Sequence, residues 1–415
     1  MIARGIFPRD KRGSMKYIVI LGDGMADYKR GPLGEHTPLE LAHKPHMDEL
    51  AKMGSVGLIR TVDPGMKPGS DVANLSVIGY DPRVCYTGRS PLEALSIGVP
   101  FTFDDTVFRV NLVTLGDSED GSFEKLKMLD YSAGEISTAE AHELMAAIDS
   151  ALSDGKTTYH GGTSYRNCAI LHDGKCAVEF TPPHDISGKV IADYLPQGEG
   201  ADYYADAIKK SMEILKDLPV NQARVAAGKN PATAIWFWGK GTKPQLEDFR
   251  KKYGLKAAMI SAVDLLKGIA KGANMDVIEV PGATGTLSSN FVGKANACLK
   301  ALDDHDYVYV HMEAPDECGH QGDAQGKIKA VEKVDEVLGI VLDGLKKRGE
   351  DYCIAVLPDH ATPLVVRTHT SEPIPFIVYR SDRPAHCGIA YTEEEAQKGL
   401  YLDNGRALIN FMLNG

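Results

Sequence analysis

No run of apolar residues in the chain is long enough to span a bilayer, and no Lys/Arg-rich block stands out. The first absence argues against a membrane protein. The second, together with a net charge of −11, argues against a nucleic-acid surface. The short basic stretches KKRGE (346–350) and RKKYG (250–254) read as solvated helix ends. Cysteine is sparse: there are seven, an odd number, scattered and without a CxxC pair. That pattern speaks against a disulfide scaffold or a zinc ribbon and for reduced thiols in a cytoplasm. The opening MIARGIFPRDKRGS carries charge but no apolar stretch of the kind a secretory signal needs. Residues 1–14 are therefore expected to be a disordered extension, with Met15 the better beginning. Internal repeats and low-complexity tracts are also missing. What remains is an ordinary globular composition, 43% hydrophobic and 25% charged, in 415 residues that can hold two or three domains.

KYIVILGDGMAD (16–27) is a continuous apolar run ending in a Gly-Asp-Gly turn, the pattern of a buried parallel strand with ligand-facing residues beyond its C-terminal end. TPLELAHKPHMDELAKMG predicts one helix from a Thr cap to Gly54, and VGLIRTVD a second strand. A Gly/Pro loop then enters a helix near Ser70. This alternation predicts an α/β sandwich. From about 85 to 242 the texture changes. VFRVNLVTL and NCAILH alternate as half-exposed strands do, and STAEAHELMAAIDSAL is an amphipathic helix. The α/β rhythm then returns. The expected organisation is a discontinuous domain, 15–84 with 243–415, interrupted by an inserted α+β domain at 85–242.

Three strands of the first domain end in acid/His clusters: ILGDG at Asp23, VHMEAPDECGH with Asp316 and His320, and VLPDH with Asp359 and His360. His369 follows shortly after. Strand C-termini of a parallel sheet converge on one crevice, so these groups can meet. Asp316 and His320 stand four apart and share a face if a helix begins there. Carboxylate and imidazole without thiolate suit Mn²⁺ or Zn²⁺ better than Ca²⁺. Ser70, in PGSDVANLS, reads locally either as a helix N-cap or as a nucleophile at a helix start facing a phosphate.

The ordered motifs ILGDGMAD, GSDVANLSVIGYDP, YTGRSPLEA, FRVNLVT, DYSAGEIST, SYRN, VPGATG, DECGHQGD and PDHATP…THT cover nearly all of the chain from Met15. Together they resemble the archaeal-type cofactor-independent phosphoglycerate mutases, a branch of the alkaline phosphatase superfamily. The resemblance implies an alkaline-phosphatase-like three-layer α/β sandwich with an inserted domain. It also implies a phosphoserine intermediate at Ser70, and two divalent metals, manganese above zinc or magnesium, with no need for 2,3-bisphosphoglycerate. Carried over residue by residue, Asp23, Ser70, Asp359 and His360 would hold one metal, and Asp316, His320 and His369 the other.

A phosphoglycerate carries a carboxylate and a phosphate, which call for Arg forks. Arg89, Arg109 and Arg166 lie in the insert within family-like motifs. Asp130 in LDYSAGE is a candidate acid/base or a turn cap, and Lys267 a candidate phosphate contact or a helix-surface lysine. His160 reads as a satisfied loop histidine, and Trp236 and Trp238 as core. The expected activity is interconversion of 3- and 2-phosphoglycerate. The alternative is a phosphotransferase or phosphatase on another small metabolite, such as a homoserine kinase of threonine synthesis. A small phosphorylated metabolite is the expected partner, for a monomer or small homo-oligomer in the cytoplasm.

Overall fold

The computed structural model describes residues 15–118 and 120–415, and the N-terminal extension expected over 1–14 lies outside them. The described residues form two compact units, 15–85 with 246–415, and 86–245. In chain order the first unit begins with β1 (Lys16–Gly22) and β2 (Ser55–Ile59). The second unit holds β3 (Thr106–Gly116), β4 (Lys127–Asp130), β5 (Thr157–Thr163), β6 (Arg166–Leu171) and β7 (Ala234–Thr242). The chain then returns to the first unit with β8 (Ala257–Ile260), β9 (Asp276–Val277) and β10 (Tyr307–Met312), followed by β11 (Tyr352–Leu357), β12 (Ile374–Arg380) and β13 (Leu400–Leu402).

The first unit is built on an eight-stranded sheet in the order β13-β2-β12-β11-β1-β10-β8-β9. Its centre is parallel: β1 lies between β10 and β11, with Gly22 level with Met312 and Leu21 level with Leu357. The apolar runs IVIL, VYV and IAVL that made these segments legible are buried, as central parallel strands are when helices cover both faces. Their C-terminal ends stop side by side, which brings the three polar clusters to one edge of the sheet. The antiparallel β12 joins this core to β2.

One expected helix is two. Thr37 caps Pro38–Leu41 with a full capping box, and a new helix starts at Pro45. Proline lacks the N–H that would continue the first helix, and Lys44 before it adopts φ −130°, ψ 57°, outside the helical region.

The second unit is an antiparallel sheet, β4-β3-β6-β5, with β7 on the other side of β3. The expected half-exposed strands differ here: β3 is buried along almost its whole length, and β6 beyond Arg166. Phe108, Val110 and Leu112 pack into the main core of the unit, while Val107 joins Ala94, Phe101, Cys168 and Ile170 in a smaller core on the other face. Among the described residues no helix is long and apolar enough to cross a membrane.

Candidate active site

The loop after β1 turns at Gly24, whose φ is +60° and whose absent Cβ would lie 2.5 Å from Thr362 Oγ1 and 2.6 Å from Asp316 Oδ1. Only glycine fits so close an approach without strain. It lets Asp23 sit at the sheet edge, buried. Asp23 Oδ2 lies 2.8 Å from His311 Nε2. Its Oδ1 is buried without any hydrogen-bond donor and lies 3.5 Å from His360 Nε2. Burial first, then the neighbouring carboxylates of Asp359 and Asp316, push Asp23 well above the usual carboxylate range. A cation would relieve that crowding.

Asp359 and His360 follow β11 after Pro358 and are fully buried. Asp359 Oδ1 accepts the N–H groups of Gly24 (3.1 Å) and His360 (2.9 Å), and its Oδ2 accepts Asn74 Nδ2–H at 2.7 Å. Burial pushes His360 below its ordinary value, which favours the neutral ring a metal ligand needs. Ser70 is the first residue of the helix Ser70–Ile78, and its Oγ is 3.2 Å from His360 Nε2.

Asp316 and His320 do share a helix, Ala314–Gln321, and the same side of it: His320 Nε2 is 3.2 Å from Asp316 Oδ2. Asp316 Oδ1 is 3.4 Å from His369 Nε2, and the two histidines face each other with 3.0 Å between their Nε2 atoms. His320 Nδ1 is 3.0 Å from the carbonyl oxygen of Arg367. A carbonyl only accepts, so Nδ1 carries a proton there and Nε2 is turned towards the cluster. Arg367 reaches this geometry at φ 56°, over Gly322, where a Cβ would meet its guanidinium at 2.7 Å. The Asp316 carboxylate pushes His320 up to about 9.

All seven residues expected as metal ligands are in this unit, and the structure brings them together. Two sets have ligand atoms within 4.8 Å of one another: Asp23, Asp359 and His360, and Asp316, His360 and His369. His360 belongs to both, so distance alone does not divide the ligands as the family resemblance does. The oxygen and imidazole donor set and the donorless Asp23 oxygen fit divalent cations.

Several supporting residues went unread in the sequence. His311, a polar interruption in the apolar run of β10, is buried and pushed down to about 3 by that burial, so it is neutral. Ser261 Oγ lies 3.1 Å from its Nδ1. Asn74 Nδ2 donates to Ser70 O at 2.8 Å as well as to Asp359, and its Oδ1 accepts the Tyr309 hydroxyl at 2.6 Å. Its position four residues after Ser70, on the same helix face, was the available signal.

In the inserted unit, Arg89, Arg109 and Arg166 line one cavity of about 480 Å³. Arg109 is buried, with its guanidinium 4.7 Å over the Trp238 ring, and Arg166 stacks 4.3 Å over Tyr165. Arg109 Nε is 3.3 Å from Glu93 Oε2 but makes no hydrogen bond there, because a short distance without alignment is an ion pair only. Burial pushes the Arg109 guanidinium down; Glu93 opposes this, and Arg89 and Arg166 add to it. Such a crowd of cations favours an anion. Trp238 thus lines the cavity, contrary to the expectation of a core residue, whereas Trp236 is buried. The cavity also takes in Asn111, Tyr131 and His184, which carried no sequence signal of their own. His160 lies on β5, not in a loop, with its Nε2 2.9 Å from Thr158 Oγ1.

Asp130 and Lys267 are placed elsewhere. Asp130 accepts from Ser132 N–H and Oγ–H, Gly134 N–H and Asn230 Nδ2–H, closing a turn. Lys267 pairs with Glu279 at 2.8 Å.

A family model for 2,3-bisphosphoglycerate-independent phosphoglycerate mutase matches residues 51–221, and one for type I phosphodiesterase / nucleotide pyrophosphatase matches 194–374. The 2,3-bisphosphoglycerate-independent phosphoglycerate mutase of Methanosarcina barkeri is 48% identical, over 93% of this chain and 96% of that protein. Its namesake in Methanothrix thermoacetophila is 46% identical, over 97% of this chain and 100% of that protein. The chain belongs to this mutase family. It is therefore an enzyme of a family named for its independence of 2,3-bisphosphoglycerate, within the alkaline phosphatase superfamily, as the ordered motifs implied. Among solved structures, a Pyrococcus horikoshii protein superposes with a TM-score of 0.79 at 29% identity, over 97% of both chains. The cofactor-independent phosphoglycerate mutase of Thermoplasma acidophilum gives 0.66 at 24% identity, over 96% of this chain and 99% of that one, a likeness of fold.

Proposed function

We propose that the enzyme interconverts 3-phosphoglycerate and 2-phosphoglycerate through a phosphoserine at Ser70. The observation that carries this reading is the position of Ser70 Oγ, 3.2 Å from His360 Nε2 at the rim of a buried carboxylate and imidazole nest. In the first transfer Ser70 Oγ attacks phosphorus and the bond to the C3 oxygen of glycerate breaks. The proton lost by the serine hydroxyl balances the one gained by the glycerate hydroxyl. In the second transfer the C2 oxygen attacks phosphorus, the bond to Oγ breaks, and the serine hydroxyl is restored.

Asp23, Ser70, Asp359 and His360 would hold one divalent ion, and Asp316, His320 and His369 another, with Mn²⁺ the best match to this donor set. The chemistry such ions supply is a lowered pKa at the serine hydroxyl and neutralisation of phosphoryl charge. Asn74 supports Ser70 and Asp359 together by donating to both.

The arginines of the inserted unit are proposed to retain the glycerate between transfers. A mutase differs from a phosphatase in keeping the dephosphorylated half and in excluding water from the phosphoserine. Three guanidiniums against the single carboxylate of Glu93 suit the multiply anionic phosphoglycerate and leave net positive charge to hold the carboxylate of glycerate. The ammonium of homoserine would want a free acidic partner; among the described residues that line the cavity there is no carboxylate, and the neighbouring Glu93 is already paired with Arg89 and Arg109. Asp130 is engaged in its turn and Lys267 with Glu279, so neither is assigned a catalytic role.

Ser70→Ala is expected to abolish mutase turnover while leaving Mn²⁺ content nearly unchanged, because the carboxylate and imidazole ligands remain. Turnover measured beside metal analysis checks this. Mutase activity retained in the variant removes Ser70 as the nucleophile.

A further inference from the structure

Under the candidate metal ligands lies a buried ion pair that the chemistry above does not use. Lys327, early in the helix Ala324–Arg348, places its Nζ 2.7 Å from Asp27 Oδ2, and neither side chain reaches solvent. The same ammonium donates to two backbone carbonyls, Ala26 at 3.1 Å and Thr362 at 2.8 Å. Its three N–H groups thus have three acceptors. Asp27 accepts the N–H of Leu364 at 3.2 Å and that of Tyr28 at 2.8 Å.

The partners belong to two different loops. Ala26 and Asp27 are in the loop after β1 that carries Asp23. Thr362 and Leu364 are in the loop that carries Asp359, His360 and His369. The two loops also meet directly, through single backbone bridges of Ala361 with Met25 and Ala26, through Gly24 N–H on Asp359 and through Leu364 N–H on Asp27. Thr362 extends the connection to the third cluster, since its hydroxyl donates to Asp316. One ammonium, delivered by a helix that contributes no ligand, therefore ties the backbones of both loops.

A buried ion pair is a poor way to gain stability, because desolvation consumes most of the attraction and an apolar pair of equal volume does as well. What directed bonds to two carbonyls and a carboxylate provide is relative position. An electrostatic role is disfavoured by sign: a positive charge close to a cation site repels the cation. We infer that Lys327 and Asp27 are a positioning pair that holds the Asp23 loop and the His360 loop in the one register in which their side chains can share divalent cations. The inference rests on the two-metal reading of the site.

The test is Mn²⁺ binding to the metal-stripped full chain, measured by calorimetric titration. The variants are Lys327→Met and the double variant Lys327→Met/Asp27→Leu, with thermal unfolding of each metal-free protein alongside. Wild type is expected to bind two Mn²⁺ per chain, and wild type that binds none overturns the two-metal reading before any variant is measured. Both variants are expected to bind Mn²⁺ about 10–100-fold more weakly, the usual effect of losing a group that orients metal ligands. The double variant leaves no charge buried alone, so its metal-free melting temperature should return towards wild type while its Mn²⁺ affinity stays low. If Lys327→Met does not accumulate as folded protein, the double variant carries the comparison by itself. Wild-type Mn²⁺ affinity in the double variant reduces the pair to a fold element and overturns the inference. Tighter binding overturns it too, because that result assigns Lys327 an electrostatic effect on the cations in place of a geometric one.

Discussion

Asn74 has little freedom to turn its amide over: both Nδ2 protons have acceptors, Ser70 O and Asp359 Oδ2, and Oδ1 takes the Tyr309 hydroxyl. Burial holds Tyr309 well above the ordinary phenol value, so it stays a donor. Tyr309→Phe removes that one hydrogen bond and little volume. It is expected to cost about 1–3 kcal/mol, the range for an acceptor left buried and unpaired. It should also weaken Mn²⁺ binding about tenfold by loosening the amide behind Asp359. Urea unfolding and Mn²⁺ titration measure the two effects, and an unchanged affinity would detach Asn74 from the metal ligands. Residues of this kind were poorly legible in the sequence. Asp23, Asp316 and Asp359 announced themselves by sitting at the ends of apolar runs. Tyr309 and His311 lie inside such a run, and their partners are set by how β10 registers with β1 and where the helix Ser70–Ile78 packs.

At the level of elements, the central strands were readable because burial on both faces demands unbroken apolar runs, and the edge where they end follows from their parallel order. The break at Pro45 was legible in principle, since proline marks a helix start as well as a stop. The inserted sheet was harder. On β3 the alternation of VFRVNLVTL suggested one exposed face, yet a second small core covers that face. The same sheet makes Arg109 and Trp238 direct cross-strand partners of β3 and β7, which no local pattern could foretell. Trp238→Ala removes the ring under a buried guanidinium, a contact worth roughly 0.5–2 kcal/mol. KM for phosphoglycerate is expected to rise several-fold with kcat less affected. Steady-state kinetics checks this, and wild-type KM would mean that the cavity does not hold substrate.

At the scale of the molecule, one unit carries the phosphoryl site and the other the arginine cavity, and the proposed division of labour can be tested on the whole enzyme. Prolonged chelation is expected to silence it, and Mn²⁺ to restore activity better than Mg²⁺, because His320, His360 and His369 suit the softer ion. Full activity in excess chelator would contradict a metal mechanism. The most direct measurement follows phosphorus by NMR in a reaction of the metal-loaded enzyme with 3-phosphoglycerate alone, without 2,3-bisphosphoglycerate and without ATP. The expected result is 2-phosphoglycerate at equilibrium with no inorganic phosphate released. Stoichiometric inorganic phosphate would make the protein a phosphatase, and no conversion here beside ATP-dependent phosphorylation of homoserine in a parallel reaction would make it a kinase; either result contradicts the mutase.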